Sequence, residues 1–273
     1  MLVSKRGIRI HRPRGAHAGR PKRYTPRMCG RFKLDTDWSE IVRIYRIDIH
    51  PDDRTLQVHL PWAQVRPTQV APVITGLPGS RVAWPARWGF PATWLARDGK
   101  DPWSRPLFNT VSEEAPAKPT WRAAFRERRC LVPTTGFVEW LTRGKAKDPV
   151  RFFTAAAEGG PTALAGVFGR FSRDGEDVDC FSILTTTPNG LLRHVHDRMP
   201  VVLRPEDWDT WLDPRTPMPE VQRLCAPLAD GVLAAEPLPL GFNRPDDPAA
   251  EAAPLDWSLD EVAPDVAAAS AAK

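Results

Sequence analysis

Residues 129–141 read Arg-Cys-Leu-Val-Pro-Thr-Thr-Gly-Phe-Val-Glu-Trp-Leu. Two apolar runs, 129–132 and 137–141, flank a Pro-Thr-Thr-Gly stretch, which is the pattern of two short strands joined by a tight connection. The same pattern recurs outward from it. Runs at 81–90, 150–154, 163–171, 180–187 and 201–203 are each bounded by Gly, Pro or polar residues and are expected to be strands. Helical spacing is rarer. Trp38, Ile41, Val42 and Tyr45 form an i, i+3, i+4, i+7 stripe behind Thr36-Asp37, with Glu40 as capping-box partner of Asp37, so a helix is expected over 37–47. Trp121, Ala124 and Phe125 suggest a helix near 120–128, and Pro205 suits the first position of one carrying Trp208, Trp211 and Leu212. Many short strands with scattered helices and no regular βα alternation predict an α+β fold: a curved, barrel-like antiparallel β core flanked by short helices.

The chain has 273 residues, enough for one sizeable core, and its 30 prolines are about twice the usual share, which fits many short elements joined by ordered loops. The formal charge of +5 hints at an anionic partner, but its distribution removes the hint. Residues 1–27 carry nine basic residues and no acid, residues 246–273 carry seven acids against Lys273, and the span 28–245 holds 28 basic against 26 acidic residues. A disordered basic extension, a single domain over 28–245 and a disordered acidic tail are expected. Any nucleic-acid site must be a local patch. No apolar stretch reaches the ~18 residues of a membrane helix, and no secretory signal opens the chain, so a cytoplasmic protein without membrane partners is expected. Cys29, Cys130, Cys180 and Cys225 include no close pair, so no metal site and no cofactor are expected.

The first of these cysteines stands in Met28-Cys29-Gly30-Arg31-Phe32. A chain beginning at Met28 would lose its initiator methionine and leave Cys29 with an α-amine beside its thiol, two groups that titrate near ~8 and ~8.5. Such a 1,2-aminothiol condenses with an aldehyde to a Schiff base, and sulfur then closes a five-membered thiazolidine. Three further segments follow: Phe108-Asn109-Thr110-Val111-Ser112-Glu113, the 131–140 stretch, and His194-Val195-His196-Asp197-Arg198-Met199-Pro200. With Trp88-Gly89-Phe90, Trp94 and Leu184-Thr185-Thr186-Thr187-Pro188-Asn189, this ordered set resembles the SRAP (SOS response-associated peptidase) family, whose members shield abasic sites in single-stranded DNA.

The resemblance implies a covalent abasic-site sensor with associated lyase and autopeptidase chemistry; a monomer is expected, although no sequence feature reports oligomeric state. Cys29 is then the crosslinking nucleophile, Asn109 orients its amine and thiol, and Glu139 and His196 handle protons. A carboxyl near the aldehyde carbon can protonate the departing hydroxide, and an imidazole can assist opening of the sugar ring. Read from the strand pattern alone, Glu139 suits the exposed face, and His196 a loop or core histidine. Arg31 and Arg198 match phosphate-binding positions of the family, and Trp94 matches an aromatic packed beside the lesion. Arg128 and Arg129 are more simply explained as helix-end charges.

Three departures matter. Asn109-Thr110-Val111 stands where the family has Asn-Ala-Arg, so an arginine is missing; Ala63-Gln64-Val65-Arg66-Pro67 replaces Tyr-Asn-Val-Ala-Pro, and Arg66, next to Pro67, is the expected substitute for the lost charge. The extension is the third, because an acylated Cys29 nitrogen cannot form a thiazolidine; a start at Met28 or removal of residues 1–27 is required. Two other readings use the same residues: an N-terminal-nucleophile cysteine amidohydrolase, with the α-amine as base, and a non-catalytic single-stranded DNA binding module.

Overall fold

The computed structural model describes residues 30–48, 62–155 and 161–239. The expected extension and tail, together with Cys29, lie outside them. In chain order the described elements are β1 (Arg31–Leu34), α1 (Trp38–Tyr45), β2 (Trp62–Val65), β3 (Val70–Thr75), β4 (Val82–Trp88), 3₁₀ turns Thr93–Asp98 and Pro102–Ser104, β5 (Asn109–Val111) and α2 (Arg122–Glu127). There follow β6 (Arg129–Thr134), β7 (Gly136–Arg143), β8 (Ala146–Thr154), β9 (Thr162–Arg173), β10 (Glu176–Thr186), a 3₁₀ turn Leu192–His194, β11 (Met199–Pro200), β12 (Val202–Leu203), a 3₁₀ turn Pro205–Asp207, α3 (Trp208–Leu212), α4 (Met218–Leu224) and β13 (Leu233–Pro237).

Five of these strands close on themselves. β4, β3, β6, β9 and β10 pair in that order, and β10 returns to β4 through Cys180↔Arg87 and Phe181↔Trp88. This is the expected barrel-like core of an α+β fold, with one correction. The closing seam is parallel, because the four antiparallel pairings β4–β3, β3–β6, β6–β9 and β9–β10 bring β10 back in the direction of β4; β5 also pairs with β10 in parallel. A second, antiparallel sheet runs β13-β8-β7-β1-β2. One core lies between the two systems, with Phe32, Phe137 and Phe152 from the sheet meeting Trp88, Phe181 and Val132 from the barrel. The other lies under α1, α2, α3 and α4, around Tyr45, Phe125, Trp211 and Val221. No helix among the described residues is long and apolar enough to cross a membrane.

The Pro-Thr-Thr-Gly connection carries the chain from the barrel into the sheet. The Gly136 N–H donates to Thr134 Oγ1 at 3.0 Å, and that hydroxyl donates to the Lys33 carbonyl at 2.8 Å. Gly136 has φ +155°, and a Cβ there would stand 2.8 Å from the Phe152 carbonyl oxygen. Only glycine lets β7 pass β8 so closely. The α1 stripe buries Ile41 and Tyr45, and the Tyr45 ring stacks on Trp208 at 4.6 Å. The expected capping box does not form: the Asp37 side chain makes no cap bond, its carbonyl accepts from the Glu40 N–H at 3.1 Å, and the Glu40 carboxylate is taken by Arg43 at 3.0 Å. β3 escapes the sequence pattern because Pro72 interrupts it; Pro72 is paired with Pro85, which confines both missing donors to one rung.

Candidate functional site

The most deeply buried acid of the motif segments is Glu139, only 1% exposed. Alternation along β7 puts it on the face of Phe137 and Leu141, both packed in the core between the sheets, and not on the solvent face that the strand pattern favoured. β7 pairs with β1 through Arg31↔Val138 and Phe32↔Phe137. Continued by one residue, this register sets Gly30 across from Glu139, so the start of the described chain runs directly beside a buried carboxyl. The preceding residue is Cys29. The Arg31 guanidinium lies over the Trp140 ring, 5.2 Å from its centroid.

Asn109 opens β5, half-buried, and is paired with Ile183. Its neighbour Thr110 points the other way into the barrel wall, where its hydroxyl meets that of Ser182 at 2.8 Å. Beyond β5 the same segment supplies Glu113, which takes the Arg198 guanidinium in a two-pronged ion pair of 2.8 and 2.6 Å. Arg198 also donates to the Thr185 carbonyl at 2.6 Å, and Thr185 is the register partner of Val111. The guanidinium bonded at the strand position facing Val111 is therefore that of Arg198. Burial works to raise the Glu113 pKa, but its hydrogen bonds to Arg198, together with that charge, outweigh it and hold the carboxyl below its ordinary value.

His196 is half-buried on the same segment, while His194 ends a 3₁₀ turn, exposed. The Arg198 N–H donates to His196 Nδ1 at 3.1 Å, so the neutral ring carries its proton on Nε2. Asp197 lies 3.0 Å from the same Nδ1 and becomes its partner only when the ring is protonated. Burial lowers the His196 pKa more than the Asp197 carboxylate raises it, so the ring is held below its ordinary 6.5, and neutral imidazole dominates at pH 7.

Arg31 and Arg66 reach one acceptor. The Nη1 of Arg31 and the Nη2 of Arg66 each lie 3.4 Å from Gln64 Oε1. Burial, and then the charge of Arg66, hold the Arg31 pKa below its usual value. Pro67 follows in the turn behind Arg66, whose N–H donates to Gln69 Oε1 at 2.7 Å. Trp94 projects from the 93–98 turn, 42% exposed. Arg129 takes no part in such a patch: it is buried and donates to the carbonyls of Phe125, Arg126, Trp211 and Asp213, closing the end of α2. Cys130, Cys180 and Cys225 are buried, and burial pushes the last two thiols up to about 12. None of the three supplies thiolate at neutral pH. Sequence reasoning did not anticipate Gln64 as a bridge or Glu113 as the partner of Arg198, although both stood in the quoted segments.

A family profile described as SOS response associated peptidase (SRAP) matches residues 28–244. The chain belongs to the SRAP family. Among curated SRAP-like relatives, the abasic site processing protein YoqW of Bacillus subtilis (strain 168) is 31% identical over 205 residues, 73% of this chain and 87% of that protein. YoaM of the same organism, also named an abasic site processing protein, is 29% identical over 228 residues, 82% of this chain and 96% of its own. The fold is shared with a crystal structure from Bacteroides thetaiotaomicron at TM-score 0.71 and 23% identity, covering 83% of this SRAP chain and all of the other.

Proposed function

We propose that this SRAP protein processes abasic sites in single-stranded DNA by capturing the ring-opened sugar on Cys29. The observation that carries the reading is the buried Glu139 carboxyl across from residue 30, one residue from the nucleophile. The α-amine of Cys29 adds to the C1′ aldehyde, Glu139 gives a proton to the departing hydroxyl so that water leaves, and the thiol adds to the resulting imine carbon while its proton passes to nitrogen. Amine, thiol and aldehyde thus become thiazolidine and one water. Asn109 orients the amine and thiol, and neutral His196 takes the proton whose loss opens the sugar ring.

Phosphates are held by Arg31 and Arg66, two guanidiniums that Gln64 keeps side by side, with Pro67 and Trp94 against the sugar and base. Arg198 serves this surface from its ion pair with Glu113. The chemistry requires a free Cys29 amine; release of residues 1–28, by attack of the Cys29 thiol on the Met28 carbonyl to give a thioester that water hydrolyses, assisted by Glu139 and His196, is the peptidase activity that fits, and intact mass of protein from its native host reads it.

The test is an oligonucleotide with a single abasic site. A heat-stable adduct is expected with protein whose chain begins at Cys29, none with Cys29→Ala, and adduct formation slower by about 100-fold with Glu139→Gln. Adduct from Cys29→Ala at the normal rate would exclude the reading. Amide hydrolysis without adduct would favour the amidohydrolase, and reversible binding alone the binding module.

A further inference from the structure

We propose a second contact surface for single-stranded DNA, centred on Trp103, that lengthens the footprint beyond the Arg31–Arg66 phosphate site; it rests on the DNA-binding reading above. The guanidiniums of Arg87 and Arg173 lie 5.6 and 5.4 Å from the Trp103 ring centroid. A single indole face suffices for packing, whereas two like charges gathered on one ring repel unless an anion joins them. Burial chiefly holds the Arg87 pKa below the usual guanidinium value; Cys180 opposes that shift, and the charge of Arg173 adds a smaller contribution to it. Its Nε is buried without a hydrogen-bond partner among the described residues. The nearest acid of the pair is Asp174, 3.7 Å from Arg173 and 92% exposed, too solvated to neutralise it. Asp179 is taken by Arg170 in two bonds of 2.7 and 2.8 Å.

Two links join this surface to the first. Arg87 Nη1 donates to the Thr68 carbonyl at 2.9 Å, fastening the turn that carries Arg66 and Pro67. The Ala92 N–H donates to the Pro102 carbonyl at 2.9 Å, tying the turn of Trp94 to that of Trp103. Val70, the register partner of Arg87, is 49% exposed, and with Trp94 it makes up the exposed large hydrophobics among the described residues. Paired guanidiniums beside exposed apolar side chains match a strand that alternates phosphate with base.

Anisotropy with undamaged single strands of about 6 and about 15 nucleotides tests this on the full chain. The longer strand is expected to bind at least ~10-fold more tightly, and Arg173→Glu to reduce that gain to below ~3-fold, with the log–log salt slope on the longer strand flatter by about 0.7 for each phosphate no longer neutralised. Arg173→Lys, which keeps the charge, should retain most of the slope. Arg173→Gln repeats the measurement should the Glu variant fold poorly, its melting curve being the check. An unchanged length-dependent gain in a folded Arg173→Glu or Arg173→Gln protein overturns the proposal. Covalent capture on the short abasic strand is read separately, with protein whose chain begins at Cys29. Capture with an unchanged gain refutes only this surface, and an Arg173-dependent gain without capture refutes only the crosslinking reading.

Discussion

At His196 two neighbours compete for one nitrogen. The Arg198 amide donates to Nδ1 of the neutral ring, and the Asp197 carboxylate waits 3.0 Å away for the protonated one. Because burial holds the native pKa below 6.5, the folded protein resists protonation more than the unfolded chain does. The associated stability is therefore full above pH 6.5 and is lost as pH falls toward the lowered native value. Asp197→Asn removes the charge that most favours imidazolium, so the His196 titration followed by NMR should move to lower pH; a move upward would contradict the assignment. At Glu139, by contrast, residue identity alone said little. A glutamate in an alternating strand faces solvent by default, and only the barrel packed over the sheet that contains β7 turned that position inward.

Between elements, the strongest tie across the candidate site is the Glu113–Arg198 pair, which joins the segment after β5 to the one before β11. Glu113 is held below its ordinary 4.5, so its contribution is present above that pH and disappears as pH falls through the lowered value. Since the carboxylate is 47% exposed, the effect should not exceed about 1 kcal/mol. Urea midpoints measured between about pH 3 and 6 should fall less steeply for Glu113→Gln than for the parent. Gly136→Ala is a harsher test. Its Cβ would stand 2.9 Å from Arg151 Nε and nearer still to the Phe152 carbonyl, at φ +155°. A loss of about 2–3 kcal/mol is expected by thermal or urea unfolding. The strands at 129–134 and 136–143 were legible because a Pro-Thr-Thr-Gly turn separates their two apolar runs. β1, β2, β5 and β13, of three to five residues each, were not, since such short pieces draw their order from neighbouring strands.

For the whole molecule, the question of charge becomes one of placement. With 28 basic and 26 acidic residues over 28–245, bulk attraction for DNA is small, and binding depends on a few guanidiniums set together. Arg66→Ala should weaken single-strand binding and flatten its salt dependence by about 0.7 in log–log slope, the signature of one neutralised phosphate. An unchanged slope would show that Arg66 does not replace the arginine absent at Val111. The sequence by itself determined the class of fold, because apolar period and turn chemistry are local, and its ordered motif segments supplied the candidate residues through their resemblance to the SRAP family. Tertiary structure alone decided that β10 closes the barrel through a parallel seam, that Glu139 faces inward, that Arg198 is held by Glu113 and that Arg31 meets Arg66 on Gln64. Each of these depends on residues far apart in the chain or on which face of a strand another layer covers, and neither is encoded in local spacing.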